Sequence, residues 1–514
     1  MRFTSTRGQA PAVGAARAVL DGLAPDGGLY VPERIEPLDV ESLLDAPWAE
    51  VATAVMAPYL TGEGGLPADG LREAVEAAAA RFETEEVVPL TVLGEADGTI
   101  GLLELFHGPT HAFKDVALTL LPHLVTLART AEGQQGTTLV LTATSGDTGK
   151  AALEGFKDVP DTEVVVLYPT EGVSFMQKQQ MRTQAGGNVH VLGIHGDFDD
   201  AQRAVKALFA DAGARERLTG RGYAVSSANS INLGRLLPQM VYYVTGYAAL
   251  RRAGMVAAGE PVDVVVPTGN FGNLLAATWA RAAGVPLGTA VCATNENRVL
   301  ADFFATGTYD ARRGLVRTDS PSMDILVSSN LERFLHDTSG RDSDRVRAAM
   351  AQLADERVFD WGALPGEPAD LPEGADASRH RVVAGTATGE QAAATLRAVH
   401  AEHGTLVDPH TAVALDVLAQ YRRGDLTGGQ QPPARPALVA ATASPYKFAP
   451  AVLAALGHEA DEDEFDTLVR LATTAGDERG APLGLSSLRD AAVLHEQVVE
   501  VPEVPSTIEE VLHR

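Results

Sequence analysis

Residues 137–144 read TTLVLTAT and begin a series of short apolar runs that decides the fold. The later runs are TEVVVLYP (162–169), NVHVLGI (188–194), GYAVSSA (222–228), VDVVVPT (262–268) and TAVCATN (289–295). Each is short and apolar enough to be a buried parallel strand. Helical spacing and a nearby final Gly mark the segments between them, such as SFMQKQQMRTQAG (174–186), DDAQRAVKALFADAG (199–213) and NLLAATWARAAG (273–284). The alternation predicts an α/β fold with open, mostly parallel sheets and helices on both faces, where ligands bind beyond the carboxyl ends of the strands.

The composition describes an acidic protein of 514 residues, long enough for about two to four domains. Its formal net charge of −27 opposes binding to nucleic acid or to anionic lipid. The single Cys292 excludes an internal disulfide framework and indicates a reducing compartment. No signal peptide is visible, and the apolar stretch 115–128 is shorter than the roughly 20 residues of a membrane span. We therefore expect a cytoplasmic protein with neither a nucleic-acid nor a membrane partner.

Outside the alternating block, residues 1–90 predict a mostly helical N-terminal lobe. Segments 362–376 and 424–436 are rich in Pro, Gly and acidic residues and predict surface loops or linkers. The acidic run 459–466 lacks His and ordered ligand spacing, so we interpret it as a solvated turn rather than a metal site. No HExxH, CxxC or EF-hand spacing occurs, and we expect no metal.

The basic residues divide unevenly, because 35 of the 41 are Arg and only six are Lys. Lys114 lies among apolar neighbours in LFHGPTHAFKD (105–115). Loss of ammonium solvation would favour the neutral amine that Schiff-base chemistry requires. The alternative is a partly buried lysine whose head reaches water. A sequence that prefers Arg has kept Lys here, and a guanidinium cannot form an imine, so Lys114 is our candidate catalytic amine. The flanking His107 and His111 are candidates for acid or base, or for simple hydrogen-bonding roles.

A strand runs directly into a glycine-rich turn and a helix in VDVVVPTGNFGNLLA (262–276). Backbone N–H groups and the positive end of the helix dipole then converge on one point, which predicts an anion cup for a phosphate. Glycines allow close approach and Asn side chains add donors or cap the helix. A turn without a ligand is the alternative. The candidate residues are Gly269, Asn270, Phe271, Gly272 and Asn273.

The same geometry recurs at LVLTAT–SGDTG–KAALEGF (139–156), so two cups predict a ligand with two anionic ends or two anionic ligands. A Walker A loop is excluded because Ala151 follows Lys150 and only two residues separate the glycines. The carboxylate of Asp147 would repel phosphate. We therefore expect Ser145, Thr148 and backbone N–H groups to bind a carboxylate or ring substituent, with Asp147 turned away as a helix cap.

A further polar group follows the predicted strand 222–228, in SSANSINLGRLLPQ (226–239). Ser226, Asn229 and Asn232 lie near the strand end, and Arg235 one turn into the next helix. A guanidinium there is suited to bidentate contact with phosphate or carboxylate. The alternative is an exposed helical Arg in an ion pair. His410, in VDPHTAVAL, is expected at a helix start in a structural role.

Taken together, FHGPTHAFKD, LTATSGDTG, SSANSINLGRLLPQ, PTGNFGNLLA and ATASPYKFAP, with STRG and LAPDGGLYVP near the start, resemble the motifs of the longer, microbial threonine synthases. The resemblance covers nearly the whole chain, in the expected order. It implies a fold type II pyridoxal-phosphate enzyme like the tryptophan synthase β family, as a monomer or small homo-oligomer. It further implies a 1–90 lobe, a large cofactor-binding domain of 91–135 and 223–514, and a small α/β domain of 136–222 that closes over substrate.

The resemblance also implies roles for individual residues. Lys114 matches the lysine that binds pyridoxal 5'-phosphate covalently, residues 269–273 match the loop for its phosphate, and Thr442 matches a hydroxyl near the pyridine nitrogen. The substrate would be O-phospho-L-homoserine, converted with water to L-threonine and phosphate in the last step of threonine biosynthesis. Ser444 departs from the family, which usually has His there. The implied substrate-binding residues are Ser145, Asp147, Thr148, Lys150, Ser226, Asn229, Asn232 and Arg235.

Two other functions remain as alternatives. A serine or threonine dehydratase of the same fold would eliminate water from a hydroxy amino acid, but those sequences typically carry Ser-Gly-Asn where residues 145–147 read Ser-Gly-Asp. They also lack the STRG and DGGLYVP segments. A catalytically silent binding protein would have no reason to keep Lys at position 114.

Overall fold

The computed structural model describes residues 1–94, 98–362 and 381–512. All but the first residue of the predicted loop 362–376 therefore lies outside the described residues. The strands are β1 (Arg2–Ser5), β2 (Val13–Gly14), β3 (Tyr30–Pro32), β4 (Leu90–Leu93), β5 (Ile100–Glu104), β6 (Thr137–Ala143), β7 (Thr162–Pro169), β8 (Val189–His195), β9 (Tyr223–Ser227), β10 (Val262–Pro267), β11 (Leu287–Thr294), β12 (Thr308–Asp310), β13 (Val358–Asp360), β14 (Val382–Thr386), β15 (Ala437–Ala441) and β16 (Val498–Glu500).

Helices connect most of these strands, and short 3-10 turns lie between them, among them Pro321–Met323 and Pro445–Phe448. The helices are α1 (Ala15–Asp21), α2 (Trp48–Leu60), α3 (Ala68–Ala79), α4 (Asp115–Leu118), α5 (Leu121–Glu132), α6 (Asp147–Phe156), α7 (Phe175–Arg182), α8 (Phe198–Ala210), α9 (Ala212–Gly220), α10 (Leu233–Arg252), α11 (Gly272–Ala282), α12 (Val299–Thr306), α13 (Leu331–Thr338), α14 (Ser343–Glu356), α15 (Gly389–His403), α16 (Pro409–Arg423), α17 (Ala449–Ala455), α18 (Glu464–Ala475), α19 (Leu483–Ser486) and α20 (Val504–Val511).

The larger sheet has the strand order β14-β11-β10-β15-β5-β4 and is parallel except for β4, which pairs antiparallel with β5. Every residue of β10 is buried because helices cover both faces of the sheet. Val264 belongs to the apolar cluster on one face, which includes Leu237 of α10, whereas Val265 belongs to the cluster on the other face, which includes Val413 of α16. The nearly continuous apolar run of VDVVVP, interrupted only by Asp263, follows from this double burial.

The smaller sheet has the order β16-β8-β7-β6-β9 and all its pairs are parallel. The six strands and three helices predicted from the sequence are confirmed, with small shifts at their ends. The predicted domain boundary differs at two places, because β9 and β16 belong to this sheet although both lie in the range 223–514. Each joins it by pairing with a strand distant in sequence, β9 with β6 and β16 with β8, which local patterns do not reveal.

Residues 1–90 contain α1, α2 and α3, as expected of a helical lobe, but also an antiparallel sheet of order β2-β1-β3. Phe3 of β1 and Tyr30 of β3 are fully buried in the same apolar cluster as α1 and α2, so the lobe is packed onto the main core. Within the described ranges, no helix is both long and apolar enough to cross a membrane.

After α19 the chain leaves the large sheet and crosses to the small one. The N–H groups of Leu494 and His495 both donate to the carbonyl of Arg182, at the end of α7, at 2.8 and 3.0 Å. Strand β16 then pairs with β8, and Val504 and Ile508 of α20 are fully buried against the small sheet. The small sheet is therefore completed by residues from the far end of the sequence.

Candidate active site

The predicted segments meet where strands of the two sheets end. In the large sheet, β10, β15 and β5 are neighbours, and they lead into residues 269–273, Thr442 and the Lys114 segment. The N–H of Phe113 donates to the carbonyl of Thr442 at 2.8 Å, which joins two of these segments. In the small sheet, β6 and β9 are neighbours, and the Asn229 amide after β9 donates to the carbonyl of Ala143 at the end of β6 at 2.9 Å.

Lys114 lies at the start of α4 with 9% of its surface exposed. Its Nζ donates to Oδ2 of Asp147 at 3.2 Å and lies 4.9 Å from the ring centroid of Phe113. Burial lowers the pKa of Lys114, Asp147 opposes that shift, and the charges of Lys447 and Arg235 reinforce it. The neutral form of the amine is thus easier to reach than in a solvated lysine. Schiff-base chemistry requires this form.

Asp147 does not act as a helix cap, so that expectation is wrong. The N-cap of α6 is Gly146, with a φ of 134° and no side-chain capping bond. A Cβ on Gly146 would lie 2.4 Å from the side chain of Gln177, so the turn requires glycine. The Asp147 carboxylate points instead toward the large sheet, because two buried ammonium groups there lack any other described carboxylate at hydrogen-bond distance.

Four donors surround the Asp147 carboxylate, which is 2% exposed. Oδ2 accepts from Lys114 Nζ at 3.2 Å and from the hydroxyl of Ser322 at 3.1 Å. Oδ1 accepts from Lys447 Nζ at 2.6 Å and from the Gln177 amide at 2.7 Å. Burial alone would raise the pKa of Asp147, but the charges of Lys114 and Lys447 and these hydrogen bonds hold it well below its usual value. The site therefore contains a carboxylate that is ionised at neutral pH beside the candidate amine.

Residues 269–273 form the turn between β10 and α11 that the sequence predicted as an anion cup. Phe271 is the N-cap in the left-handed conformation, with a φ of 64°. A Cβ on Gly269 would lie 2.7 Å from the carbonyl oxygen of Ser322, so this position has no room for a side chain. The carbonyls of Gly269 and Asn270 accept from the Ser328 hydroxyl and the Asn330 N–H, while the first N–H groups of α11 have no intrahelical acceptor.

Asn273 adds a second donor to this loop. Its Oδ1 accepts from the hydroxyl of Tyr243, which orients the amide. Its Nδ2 is buried and has no hydrogen-bond partner among the described residues. A buried donor of this kind is costly unless it meets an acceptor, so it fits a ligand oxygen at the loop.

Arg235 is buried in the first turn of α10 and is 2% exposed, which excludes the alternative of an exposed helical Arg. Its Nη1 donates to the carbonyl of Ala228 at 2.5 Å, and its Nε has no hydrogen-bond partner in the described part of the chain. Burial lowers the pKa of Arg235 to about 10. No described carboxylate forms an ion pair with it, so a buried cation is left for an anionic ligand.

Two residues of the implied substrate set are engaged in the protein itself. Asn232 caps α10 by accepting from the Gly234 N–H, and its amide donates to the carbonyls of Val19 and Ser227. The ammonium of Lys150 donates to Glu154 at 3.2 Å and to Gln184.

Three other residues of that set lie at the facing ends of β6 and β9. Ser145 and Thr148 are half-buried in the turn before and at the start of α6, and Ser226 is buried in β9 opposite Val140 of β6. The hydroxyl of Thr144 fixes the turn by accepting from the N–H groups of Gly146 and Gly149 at 2.9 and 2.8 Å.

The side chains of His410 and His111 are surrounded by groups of the protein itself. His410 lies at the start of α16 as predicted, with Nδ1 2.6 Å from Asp408 Oδ2 and Nε2 accepting from the Ser322 N–H at 3.1 Å. Burial, and then the charge of Lys447, lowers the pKa of His111 to about 4, so this ring is neutral at physiological pH. The backbone carbonyl of His111 accepts from the N–H of Ser444, and Ser444 is 2% exposed.

Three side chains that contact Asp147 were not among the candidate site residues from the sequence: Lys447, Ser322 and Gln177. Lysine scarcity already pointed at Lys447, since it is one of only six lysines. No local signal distinguished Ser322 or Gln177, because their importance comes from contact with Asp147 across the fold.

Comparison with known proteins identifies the family of this chain. Residues 2–79 match the family described as Threonine synthase N terminus, and residues 86–360 match that of pyridoxal-phosphate dependent enzymes. Threonine synthase of Pseudomonas aeruginosa is 38% identical over 88% of this chain and 90% of its own length. Threonine synthase-like 1 of Macaca fascicularis is 38% identical over 86% of this chain, which spans 58% of that relative's length. The crystal structure of PLP-bound threonine synthase from Brucella melitensis matches with a TM-score of 0.81 at 34% identity, over 99% of both chains.

A buried lysine and a glycine-rich turn at the strand ends of a parallel sheet are features of a fold type II pyridoxal-phosphate enzyme, and the matches place this chain in that class. Pyridoxal phosphate is its cofactor. Because the similarity includes the N-terminal lobe and extends over most of both chains, the protein belongs to the threonine synthase family.

The residues present fit that cofactor. Lys114 offers an amine to its aldehyde, and residues 269–273 offer the α11 N–H groups and the unpartnered Nδ2 of Asn273 to its phosphate. Thr442 is 6% exposed, and its side chain makes no hydrogen bond with the described residues, which leaves the hydroxyl for a ring atom. No group of three or more potential metal ligands occurs in the described ranges.

Proposed function

We propose that this protein is a threonine synthase that converts O-phospho-L-homoserine and water to L-threonine and phosphate, the last step of threonine biosynthesis. The observation that carries the proposal is the buried, carboxylate-free guanidinium of Arg235 within electrostatic range of the Lys114 amine. A phosphorylated substrate needs such a cation, because the net charge of −27 otherwise repels it. A dehydratase substrate carries no phosphate and could offer this charge only its α-carboxylate.

When bound, pyridoxal phosphate delocalises the negative charge that develops at the substrate Cα. Lys114 is the base that removes the Cα proton and later returns it, because its lowered pKa makes the neutral amine available. Asp147, 3.2 Å from Nζ, stabilises the ammonium that results from the proton transfer. Over the whole reaction Cβ loses one proton and gains the hydroxyl of water, while Cγ loses phosphate and gains a proton to become the methyl group.

The substrate phosphate has a set of donors that the structure supports unequally. Arg235 is the strongest of them, since its Nε is buried without an acceptor among the described residues. Further donors lie at the ends of β6 and β9: Asn229, Ser145, Thr148 and the N–H groups of the turn before α6. Lys150 contributes its positive charge, and Glu154 and Gln184 fix the position of that charge. Asn232 is not among the donors that we propose, because its side chain caps α10.

The decisive experiment measures phosphate and threonine formation from O-phospho-L-homoserine by the purified protein, with serine and threonine as competing substrates. We expect equal amounts of phosphate and threonine from the phosphorylated substrate. Activity confined to the hydroxy amino acids would favour the dehydratase, and cofactor uptake without any turnover would favour the silent binding protein.

We further propose that the enzyme acts in the cytoplasm as a monomer or small homo-oligomer, with its small sheet closing over bound substrate. The single, fully buried Cys292 supports a reducing compartment. Light scattering coupled to gel filtration measures the oligomeric state. Small-angle scattering with and without substrate measures closure, which should reduce the radius of gyration.

A further inference from the structure

Lys447 is a buried cation for which the mechanism above has no use. It follows β15 in the turn Pro445–Phe448, and its side chain is 0% exposed. Its Nζ donates to Oδ1 of Asp147 at 2.6 Å and to the carbonyl of Thr110 at 3.0 Å. Burying an ammonium ion costs several kcal/mol unless it is well paired, and such pairs are weak evidence for stability alone. The position of the pair therefore needs another explanation.

The contacts of Asp147 cross from one sheet to the other. Asp147 begins α6, directly after β6 of the small sheet, and only Gln177 among its four donors comes from that side. Lys114, Lys447 and Ser322 all come from segments packed on the large sheet. Once Lys114 is occupied by the cofactor, Lys447 is the cation that remains free to hold the carboxylate.

We propose that Lys447 is a positioning residue, which holds Asp147 of the small sheet beside the Lys114 amine and ties the two sheets together at the reacting atoms. Lys447 itself touches neither substrate nor cofactor in this proposal. The inference rests on the proposed function only in taking Lys114 as the amine that binds the cofactor.

The charges around Lys114 and Lys447 determine the direction in which the pKa of Lys114 should change when Lys447 is replaced. Lys114 faces Asp147 of α6, Lys447 of the turn after β15 and Arg235 of α10. The surroundings of Lys447 also include His111, Asp115 and Lys150. Removing the charge of Lys447 ends its repulsion of the Lys114 ammonium. It also leaves Lys114 as the one ammonium group that contacts Asp147 among the described residues. Both changes raise the pKa of Lys114, and single charges at such range shift a pKa by about one to three units.

The experiment compares Lys447→Met, Lys447→Gln and Lys447→Arg with Lys157→Met, a matched control in which an exposed lysine at the end of α6 is removed. Acetic anhydride labels neutral amines, so the pH dependence of Lys114 acetylation in the apoenzyme, followed by mass spectrometry, reports its pKa. The absorbance of the cofactor bound to Lys114, titrated without substrate, provides a second midpoint in the holoenzyme.

We expect both neutral variants to raise both midpoints by about one pH unit or more, whereas Lys447→Arg and Lys157→Met keep the wild-type values. The acid limb of kcat/KM should move by the same amount. Unmoved midpoints in Lys447→Met and Lys447→Gln would overturn the proposal even if kcat falls. Failure of both neutral variants to fold would also overturn it, in favour of a structural role. Failure of the proposed function is distinct, because it appears in the wild type as a lack of phosphate release.

Discussion

Replacing Asp147 with Asn removes one charge from the centre of the molecule and leaves its shape nearly unchanged. The substitution leaves two buried cations, Lys114 at 9% exposure and Lys447 at 1%, without the carboxylate that both contact. Gln177 would in addition lose its acceptor or face a competing amide group. The apoenzyme should therefore lose a substantial part of its stability, although no apolar contact is removed.

The magnitude follows from what is left unpaired. Breaking a buried ion pair by removing one partner costs about 3–5 kcal/mol, because the other charge stays desolvated. That is a large fraction of the roughly 5–15 kcal/mol that stabilises a typical domain. We expect the free energy of unfolding of Asp147→Asn to fall by about 3 kcal/mol or more. Asp147→Asn combined with Lys447→Met should recover part of this loss, because the double variant leaves fewer charges uncompensated.

Urea unfolding of the apoenzyme, followed by intrinsic fluorescence as a function of pH, tests this. The native pKa of Asp147 lies well below its unfolded value of about 3.9, so its stabilisation is complete above about pH 5 and is lost as the pH falls through the native pKa. The difference between wild type and variant should thus shrink in acid. Asp69→Asn, whose side chain is 84% exposed, is the control and should change stability by less than about 0.5 kcal/mol. An equally small effect of Asp147→Asn at pH 7 would refute the electrostatic account of the site.

Three further substitutions test other parts of the site. Lys114→Arg should fold, bind no cofactor that borohydride can attach to the chain, and release no phosphate; persistent phosphate release would remove Lys114 from its role. Arg235→Met should raise the KM for O-phospho-L-homoserine about 10-fold to 100-fold, since a hydrogen bond to a charged group contributes about 1.5–3 kcal/mol, with cofactor affinity unchanged in an absorbance titration. Gly269→Ala places a Cβ 2.7 Å from the Ser322 carbonyl and should weaken cofactor binding about 5-fold to 100-fold, because overpacking costs about 1–3 kcal/mol; unchanged affinity would mean that the loop shifts to make room for the methyl group.

The sequence was most informative where chemistry and local geometry coincide. Apolar runs that are buried on both faces predicted the central strands, and the strand-turn-helix pattern at 262–276 predicted the turn between β10 and α11. Lys114 stood out because an arginine-rich chain retained an amine among apolar neighbours. These inferences depend only on residues near one another in the chain.

The errors arose where distant segments decide the outcome. Capping preference favoured turning Asp147 toward its own helix, but the ammonium groups of Lys114 and Lys447, from the other sheet, determine its direction. Arg235 could equally have been exposed, and only the packing of α10 into the core buries it. The predicted range 223–514 of the large domain includes β9 and β16, although both strands pair in the small sheet, because strand pairing over long separations leaves no local pattern.

The pairing of β16 with β8 bears on how the protein is made. Translation produces β8 long before residues 498–500, so the nascent small sheet waits with an open edge of unpaired N–H and C=O groups along Val189–His195. Exposed edges of this kind recruit other strands, and partly synthesised chains are prone to aggregate through them. The ribosome-bound enzyme should therefore be a chaperone client until its final segment emerges. Expression yield should then depend on that segment even though it lies on the opposite edge of the sheet from β9, far from the chemistry.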